Sequence, residues 1–227
     1  MSIAEIGCGR LAYSAIPSTS AAMFGDPPGS RASQEPFQRP HPSHDWRLVM
    51  TIEPRAFRDA LGLFPTGVAV VTTRSSNGER IGATVSSFNS VSLDPPLILF
   101  SIARNAKAFD AWAGASHFAV NILTESQSEV SNRFARALTD KWDGIEESAD
   151  LARAPLIPFA NACFECECHA RHDGGDHLVL IGRVMSYTAT SVEAPRPLLF
   201  YRGRYRKLDP DAKIDTPQGV DYLLHGW

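Results

Sequence analysis

The sequence predicts a mainly β fold, in which an antiparallel barrel carries a few peripheral helices. Three observations lead to this prediction. Short segments rich in β-branched and aromatic residues recur along the chain, tight-turn signals such as Asn77-Gly78 separate several of them, and only two or three segments show helical periodicity. Many short strands joined by turns are typical of antiparallel sheets that close on themselves.

The composition is that of one globular domain. The chain has 227 residues, of which 44% are hydrophobic and 21% charged, enough for a sizeable core. A formal net charge of −3 argues against a broad basic face for nucleic acid. No apolar run approaches the roughly 18 residues of a membrane span, and four cysteines in a chain of this length do not form a secreted disulfide framework. We therefore expect a cytoplasmic protein that binds neither nucleic acid nor membrane.

The first 49 residues differ from the rest of the chain. They hold six of the sixteen prolines and show no apolar periodicity, which predicts a disordered N-terminal extension over residues 1–49. The predicted domain covers residues 50–208, and residues 209–227 form a C-terminal tail without a clear pattern. Because Met50 directly precedes the first patterned element, one hypothesis is that translation starts there.

The domain begins with a helix and a β-hairpin. Glu53-Pro54 opens the helix, Thr51 or Glu53 can cap it, and an apolar face follows at helical spacing. That face consists of Phe57, Ala60, Leu61 and Phe64. Val68 to Thr73 is β-branched and predicts a strand. Asn77-Gly78 predicts the hairpin turn, because both residue types accept positive φ angles.

Further strands and two more helices are predicted along the chain. The strands are Leu97 to Ile102, Phe118 to Leu123, Leu178 to Ser186, and a short pair formed by Leu198 to Tyr201 and Tyr205 to Leu208. Arg104 to Trp112 is a predicted short helix. Thr124 and Gln127 have the spacing of a capping box before a second helix, which carries Val130, Phe134 and Leu138. The polar, proline-containing segment from Thr139 to Phe159 is predicted to be a long surface loop.

Three cysteines lie close together at Cys163, Cys166 and Cys168, followed by His169. A zinc site and buried structural thiols are the two interpretations. The residues from Cys163 to Arg171 alternate as in a strand, so that Cys163 and Cys166 would project from opposite faces. Zinc ligands must converge on one point about 2.0–2.3 Å away. The pattern therefore favours buried thiols and no metal.

A hydroxyl-rich stretch runs from Gly82 to the double proline at Pro95-Pro96. Five of its fifteen residues are Ser or Thr, and single apolar residues separate them. Hydroxyl and amide groups in such a segment can donate hydrogen bonds to phosphate or carbonyl oxygens. An ordinary strand and turn of an antiparallel sheet explains the same composition, and the residues alone favour that simpler interpretation.

Three other segments have both a functional and a structural interpretation. The turn from His172 to His177 suits a hairpin, yet two histidines beside two carboxylates exceed what a turn requires. Tyr201 to Tyr205 combines aromatic rings with guanidinium groups, which suits a phosphate, a planar ring or a solvated hairpin tip. Lys107 and Arg133 lie on predicted helices, where exposure to solvent is the ordinary explanation. The sequence contains no Gly-x-Ser-x-Gly or His-Glu-x-x-His motif for a hydrolase or metalloprotease.

Five blocks in order resemble the flavin reductase family, the small reductase components of two-component flavin-dependent monooxygenases. The resemblance is nearest to the reductases of steroid-degradation, 4-hydroxyphenylacetate and phenol hydroxylases, and it covers roughly Ile52 to Leu208. The blocks are Phe57-Arg58-x-x-Leu61-Gly62-x-Phe64-x-Thr66-Gly67-Val68, Ser87-Phe88 with Ser92-Leu93-x-Pro95-Pro96-Leu97, Phe118-x-Val120-Asn121-x-Leu123, His172-Asp173-Gly174-Gly175-Asp176-His177, and Pro195-Arg196-Pro197-Leu198-Leu199-Phe200-Tyr201-Arg202-Gly203.

The resemblance implies a split antiparallel β-barrel, the FMN-binding split barrel, and a homodimer with flavin near the subunit interface. The implied flavin contacts are Arg80, Ile81, Gly82, Ala83, Thr84, Ser86, Ser87, Ser101, Ile102, Ala103, Lys107, Ala108, Arg133 and Phe134. The implied contacts with the nicotinamide dinucleotide are His177, Phe200, Tyr201, Arg202 and Gly203. The choices between FAD and FMN, and between NADH and NADPH, stay open.

The implied activity is hydride transfer from a nicotinamide cofactor to flavin, which then carries the electrons to a separate monooxygenase. The cofactors supply this chemistry, so no catalytic side chain is assigned. The protein would position the two rings and aim backbone N–H groups at the charge that develops on the flavin. The alternative function is a non-catalytic split-barrel protein that binds flavin or haem.

Overall fold

The computed structural model describes residues 52–137, 140–146, 153–191, 195–209 and 211–212. The predicted extension at 1–49, Met50, Thr51 and most of the tail lie outside the described residues. The strands within the described residues are β1 Thr66–Gly67, β2 Ala69–Arg74, β3 Arg80–Val85, β4 Asn89–Leu93, β5 Pro96–Ala103, β6 His117–Ile122, β7 Ala162–Gly174, β8 His177–Ala189, β9 Leu199–Tyr201 and β10 Arg204–Arg206. The helices are α1 Pro54–Leu61, α2 Phe109–Gly114 and α3 Ser128–Ala135.

The described strands form two antiparallel sheets. The larger has the order β3-β2-β6-β7-β8-β5-β4, and the smaller has the order β1-β9-β10. The predictions of a mainly β fold, of the hairpin at Asn77-Gly78 and of the final pair of short strands are confirmed. Gly78 adopts the positive φ of 84° that the turn requires.

The larger sheet curls until β3 approaches β5 from the other side. The link is made by Ser87, whose Oγ accepts a hydrogen bond from the Ser101 amide at 3.0 Å and donates to the Ser101 carbonyl at 3.3 Å. The enclosed core contains Phe100, whose ring packs edge-on against Trp112 and Phe118 at centroid distances of 5.7 and 4.9 Å. Burial of these aromatic rings, together with the aliphatic side chains around them, stabilises the barrel interior.

A second apolar cluster lies on the outer face of the sheet. It contains Phe134 of α3 together with Trp142 and Ile157, which belong to the segment predicted to be a surface loop. The described part of the segment is a loop, as predicted, but it is not confined to the surface, because Trp142, Ala154 and Ile157 are all buried. The segment contributes single side chains to the cluster, and not the regular face of a helix or strand. Its sequence therefore shows no apolar periodicity.

Helix α1 begins where the sequence predicts. The Glu53 carboxylate accepts hydrogen bonds from the Arg55 and Ala56 amides at 2.9 and 2.6 Å, which is the predicted cap. The apolar face, however, is not buried within the described chain. Phe57, Leu61 and Phe64 are 52%, 60% and 75% exposed.

The two other helices differ from their predicted bounds. The capping box of Thr124 and Gln127 is present, but it opens a 3-10 turn over Glu125–Gln127 that leads into α3. The predicted helix from Arg104 to Trp112 is wrong in its first turn, since α2 begins only at Phe109. Arg104 instead bonds to the turn between β7 and β8.

The cysteine-rich strand β7 keeps the predicted alternation from Cys163 to Cys168, with Phe164, Cys166 and Cys168 against the barrel core, although its pairing with β8 has register shifts at Glu165/Cys166 and at Cys168/Ala170. Cys166 lies in the barrel core, whereas Cys163 lies on the outer side near the carbonyl of Ile157. Within the described residues no three His, Cys, Asp or Glu side chains are grouped as metal ligands. Each helix described is too short or too polar to cross a bilayer.

Candidate functional site

A cleft of about 1010 Å³ lies where β3, β5, α2 and α3 meet; we call it the first cleft. Its volume is at the upper end of the range typical of small-molecule sites, about 300–1,000 Å³. The hydroxyl-rich stretch forms one wall from Gly82 to Ser87, and Ser101 to Ala103 of β5 forms the facing wall. The fold therefore brings together two segments that are separated in sequence by β4.

The hydroxyl groups of this wall mainly shape the cleft. Thr84 Oγ1 donates to the carbonyl of Ser131 on α3 at 2.7 Å, and Ser87 Oγ donates to the carbonyl of Ser101. A hydroxyl has one proton to donate. These two side chains therefore hold the walls in place, and a bound anion depends more on backbone amides and on the cationic side chains.

Two lysines line the same cleft. Lys141 Nζ donates to the carbonyls of Gly82 and Phe134 at 3.2 and 3.1 Å, and Lys107 Nζ donates to the carbonyl of Ala137 at 3.3 Å. Burial, followed by the nearby charge of Lys107, lowers the pKa of Lys141. An ammonium group has three donors. Lys141 therefore keeps one N–H beyond its two carbonyl partners, and the two positive charges favour an anion in this part of the cleft.

An aromatic pair closes one end of the first cleft. Phe134 and Trp142 pack edge-on with ring centroids 4.9 Å apart, and Gly82 lies directly beneath them. A Cβ atom on Gly82 would lie 2.4 Å from Phe134 Cε1, so only glycine permits this close packing. Trp142 Nε1 donates to the carbonyl of Arg80 at 2.9 Å, and the Arg80 guanidinium stacks over the indole ring at 4.8 Å.

Lys141 and Trp142 belong to residues 140–146, which we call the covering loop. Sequence reasoning missed both residues because it took the segment to be solvated. The available signal was a tryptophan beside a lysine in an otherwise polar stretch, since tryptophan is rarely left without a packing partner. Arg133 does not line the cleft; its guanidinium donates to the carbonyl of Asp143 and so holds the covering loop.

His177 lies at the mouth of the first cleft, at the start of β8. Its Nδ1 atom contacts Asp176 Oδ1 at 2.7 Å. Arg104 holds the preceding turn through Nε to the Gly175 carbonyl and Nη2 to Asp173 Oδ1, both at 2.9 Å. The Arg104 hydrogen bond, followed by one from the Gly175 amide, lowers the pKa of Asp173, and the contact with His177 lowers that of Asp176. The segment is therefore a turn that also presents a histidine to the cleft.

The segment from Phe200 to Gly203 lies elsewhere. It forms the end of β9 and the turn to β10 in the smaller sheet, and none of its residues lines the first cleft. The Arg202 amide donates to the Gly62 carbonyl at 3.0 Å, and the Phe200 ring packs against Tyr205. Of the residues expected to contact the nicotinamide dinucleotide, His177 therefore lines the first cleft of the chain, whereas Phe200 to Gly203 lie away from it.

Residues 61–209 match the family model for the flavin reductase like domain. The chain belongs to the flavin reductase family. Among its relatives is the reductase subunit HsaB of a flavin-dependent monooxygenase from Mycobacterium tuberculosis, 40% identical over 160 residues, which cover 70% of this chain and 85% of that protein. The NADH-dependent FMN reductase SmoA of Agrobacterium fabrum is 44% identical over 131 residues, which cover 58% of this chain and 74% of that one.

A solved relative supports the fold. The NADH:FAD oxidoreductase SgcE6 of Streptomyces globisporus, in complex with NAD and FAD fragments, is 36% identical and aligns with a TM-score of 0.65 over 71% of this chain and 98% of that chain. The predicted split barrel and the predicted family are therefore confirmed. The chain is an oxidoreductase of the flavin reductase class.

Proposed function

We propose that this flavin reductase oxidises NADH or NADPH, reduces FAD or FMN bound in the first cleft, and supplies the reduced flavin to a separate monooxygenase. One observation carries the assignment of the site. Of the fourteen residues that the resemblance implies as flavin contacts, thirteen line the first cleft, all but Arg133. These residues come from β3, β5, the segment before α2 and α3, and their convergence on one cleft is the arrangement expected if they serve one ligand.

The groups in the cleft fit a flavin. Ile81, Ala83 and Ala103 are partly exposed and offer apolar surface to a planar ring, and Lys107 and Lys141 would hold a phosphate. Bound flavin accepts a hydride from the nicotinamide ring, which is the redox chemistry of the cofactor itself. The chain's part is to position both rings and to supply N–H donors to the flavin. His177 would orient the nicotinamide carboxamide or phosphate through Nε2, because Nδ1 already contacts Asp176.

Flavin in this proposal is a substrate that binds and leaves. Transfer to a separate oxygenase requires moderate affinity, since very tight binding of the product would slow its release. Two relatives support the two halves of the proposal: HsaB, the reductase subunit of a flavin-dependent monooxygenase, supports the partner oxygenase, and the NADH-dependent FMN reductase SmoA supports the nicotinamide-dependent reduction.

We further propose that the enzyme acts as a homodimer. Phe57, Leu61 and Phe64 form an exposed apolar face, which a second copy could cover. Phe200 to Gly203 lie outside the first cleft of their own chain, and in this dimer a second copy supplies these nicotinamide contacts. Light scattering coupled to size-exclusion chromatography tests the dimer, and a monomer at micromolar concentration would contradict it.

The activity is tested by following NADH and NADPH oxidation at 340 nm with FAD, FMN or riboflavin and no organic substrate. We expect flavin-dependent oxidation with at least one pair of cofactors. If flavin binds but neither nicotinamide cofactor is oxidised, the non-catalytic binding protein becomes the better description.

A further inference from the structure

Arg104 lies between the two groups of residues that the proposed reaction must bring together. On one side are Ala103 at the end of β5 and Lys107 before α2, which line the first cleft as implied flavin contacts. On the other side is His177 at the start of β8, the implied nicotinamide contact at the mouth of the same cleft. Arg104 itself does not belong to the lining of that cleft. The resemblance assigns it no role.

The backbone of Arg104 extends the pairing between β5 and β8. Ala103 and His177 are register partners at the end of this ladder. One residue further along, the Arg104 amide donates to the carbonyl of Asp176 at 2.9 Å. The carboxylate of Asp176 in turn contacts His177 Nδ1 at 2.7 Å. Arg104 therefore holds the residue whose carboxylate orients the imidazole ring.

The side chain of Arg104 holds the rest of the turn. Its Nε atom donates to the Gly175 carbonyl and its Nη2 atom to Asp173 Oδ1, both at 2.9 Å. The Gly175 amide donates to the same Asp173 oxygen at 2.9 Å. Because a guanidinium group is planar and rigid, two donors aimed at two acceptors fix the direction as well as the distance of the turn.

The turn depends on these hydrogen bonds because packing contributes little to it. All residues from Arg171 to Asp176 are exposed, and exposed segments with few buried contacts open locally at low cost. Arg104, by contrast, is anchored on the protein side. Its guanidinium lies over the ring of Phe109 at 5.7 Å from the centroid, and Phe109 packs against the barrel core. Arg104 thus connects the core to the turn that carries His177.

We propose that Arg104 is a positioning residue for hydride transfer: it holds the β7–β8 turn against the end of β5 and so keeps His177 in register with the flavin wall of the first cleft. This inference rests on the proposed function. Hydride transfer needs the reacting atoms about 3–3.5 Å apart, and a displacement of about 1 Å can cost roughly 100-fold in rate. Arg104 acts on the nicotinamide cofactor through His177.

The test compares Arg104→Met with wild type. Methionine keeps an apolar stem beside Phe109 and removes both side-chain donors. At saturating flavin, the KM for the nicotinamide cofactor that wild type oxidises should rise about tenfold, the increase expected if the turn holds His177 in place for about one tenth of the time, and kcat should fall less. Flavin affinity, measured by fluorescence quenching without nicotinamide cofactor, should stay unchanged. Arg183→Met is the matched control, because Arg183 is exposed on β8 and lies outside the lining of the first cleft.

Combination with His177→Ala separates positioning from general support of the fold. If Arg104 acts through His177, adding Arg104→Met to His177→Ala should change the KM less than about twofold, whereas independent effects would multiply. Arg104→Lys keeps the cation without the planar fork and should give a KM between those of wild type and Arg104→Met. Asp173→Asn leaves Arg104 in place but removes the charge of its partner. It should raise the KM in the same direction, and it carries the comparison should Arg104→Met fail to fold.

Three results would overturn the inference. These are an unchanged KM in folded Arg104→Met and Asp173→Asn, a loss of flavin affinity as large as the rise in KM, or effects of Arg104→Met and His177→Ala that multiply. Thermal unfolding establishes which variants are folded. Wild type that oxidises neither NADH nor NADPH with any flavin would instead refute the proposed function, so the two failures are distinguishable.

Discussion

Replacing Gly82 by alanine tests the packing between β3 and the aromatic pair above it. The new Cβ would lie 2.4 and 2.6 Å from Phe134 Cε1 and Cδ1, whereas ordinary contact begins at 3.4 Å. The Phe134 ring must therefore retreat by 3.4 − 2.4 = 1.0 Å, or β3 must move away by the same distance.

Neither movement is easy. Phe134 is 1% exposed and packs edge-on against Trp142, whose Cζ2 atom would itself lie 3.4 Å from the new Cβ. Overpacking of this kind typically costs about 1–3 kcal/mol. For a domain of this size, each kcal/mol lowers the Tm by roughly 2–4 °C. Displacement of the covering loop should also weaken flavin binding, because Lys141 donates to the carbonyl of Gly82 itself.

Thermal and denaturant unfolding, together with flavin fluorescence titration, measure both effects. Gly67→Ala is the matched control, since a Cβ at Gly67 on β1 meets no atom within 4 Å, and we expect it to leave stability and binding unchanged. Gly82→Ala with wild-type Tm and wild-type flavin affinity would refute the packing argument. Equal destabilisation by both substitutions would show that loss of glycine, and not contact with Phe134, is the cause.

Four further predictions concern the β7–β8 turn, the role of His177 and the core. Arg104→Lys should speed amide hydrogen exchange in the β7–β8 turn, because lysine lacks the planar fork by which Arg104 directs Nε at Gly175 and Nη2 at Asp173; unchanged exchange would contradict this. The same turn should loosen in wild type at acid pH. The Arg104 hydrogen bond is the main reason why the pKa of Asp173 in the folded protein is lowered from 3.8. The stabilisation that ionised Asp173 contributes is therefore present above the pKa of the unfolded state and is lost as pH falls through the pKa of the folded state. His177→Ala should raise the KM for NADH more than it lowers kcat, and unaltered NADH kinetics would rule out its assigned role. Burial, and then the charge of Glu165, raises the pKa of Cys166 to about 12, so at pH 8 mass spectrometry should find it unmodified by iodoacetamide until the protein unfolds.

Elements with local chemistry could be predicted from the sequence. The turn at Asn77-Gly78, the capping box at Thr124 and the cap at Glu53 depend on residues within four positions of each other. The strands β2, β5 and β6 follow from continuous apolar or β-branched runs, because strands buried in a barrel need such runs. Residues expected from the family resemblance also converge on one cleft, except for those in the smaller sheet and Arg133.

Elements fixed by distant partners could not be predicted in this way. Arg104 is drawn out of the expected helix because its amide and guanidinium bond to a turn about 70 residues later in sequence. Trp142 stands in an otherwise polar stretch of sequence, yet its ring is buried against Phe134 and Arg80, which come from two other elements. The apolar face of α1 that begins at Phe57 has the correct spacing for a helix. Spacing alone, however, does not specify whether the surface that packs against this face belongs to the same chain.

The covering loop both protects an edge of the larger sheet and lines the first cleft. Strand β3 is an edge of the larger sheet, and an edge strand presents unpaired backbone groups. Trp142 Nε1 and Lys141 Nζ donate to the Arg80 and Gly82 carbonyls along that edge, two residues apart and therefore on the same side of the strand. The side chains that protect the edge are thus the same ones that line the first cleft. Because of this shared use, substitutions in the loop cannot alter the ligand site without also altering the edge of the sheet, and a change in flavin affinity there should be accompanied by a change in stability.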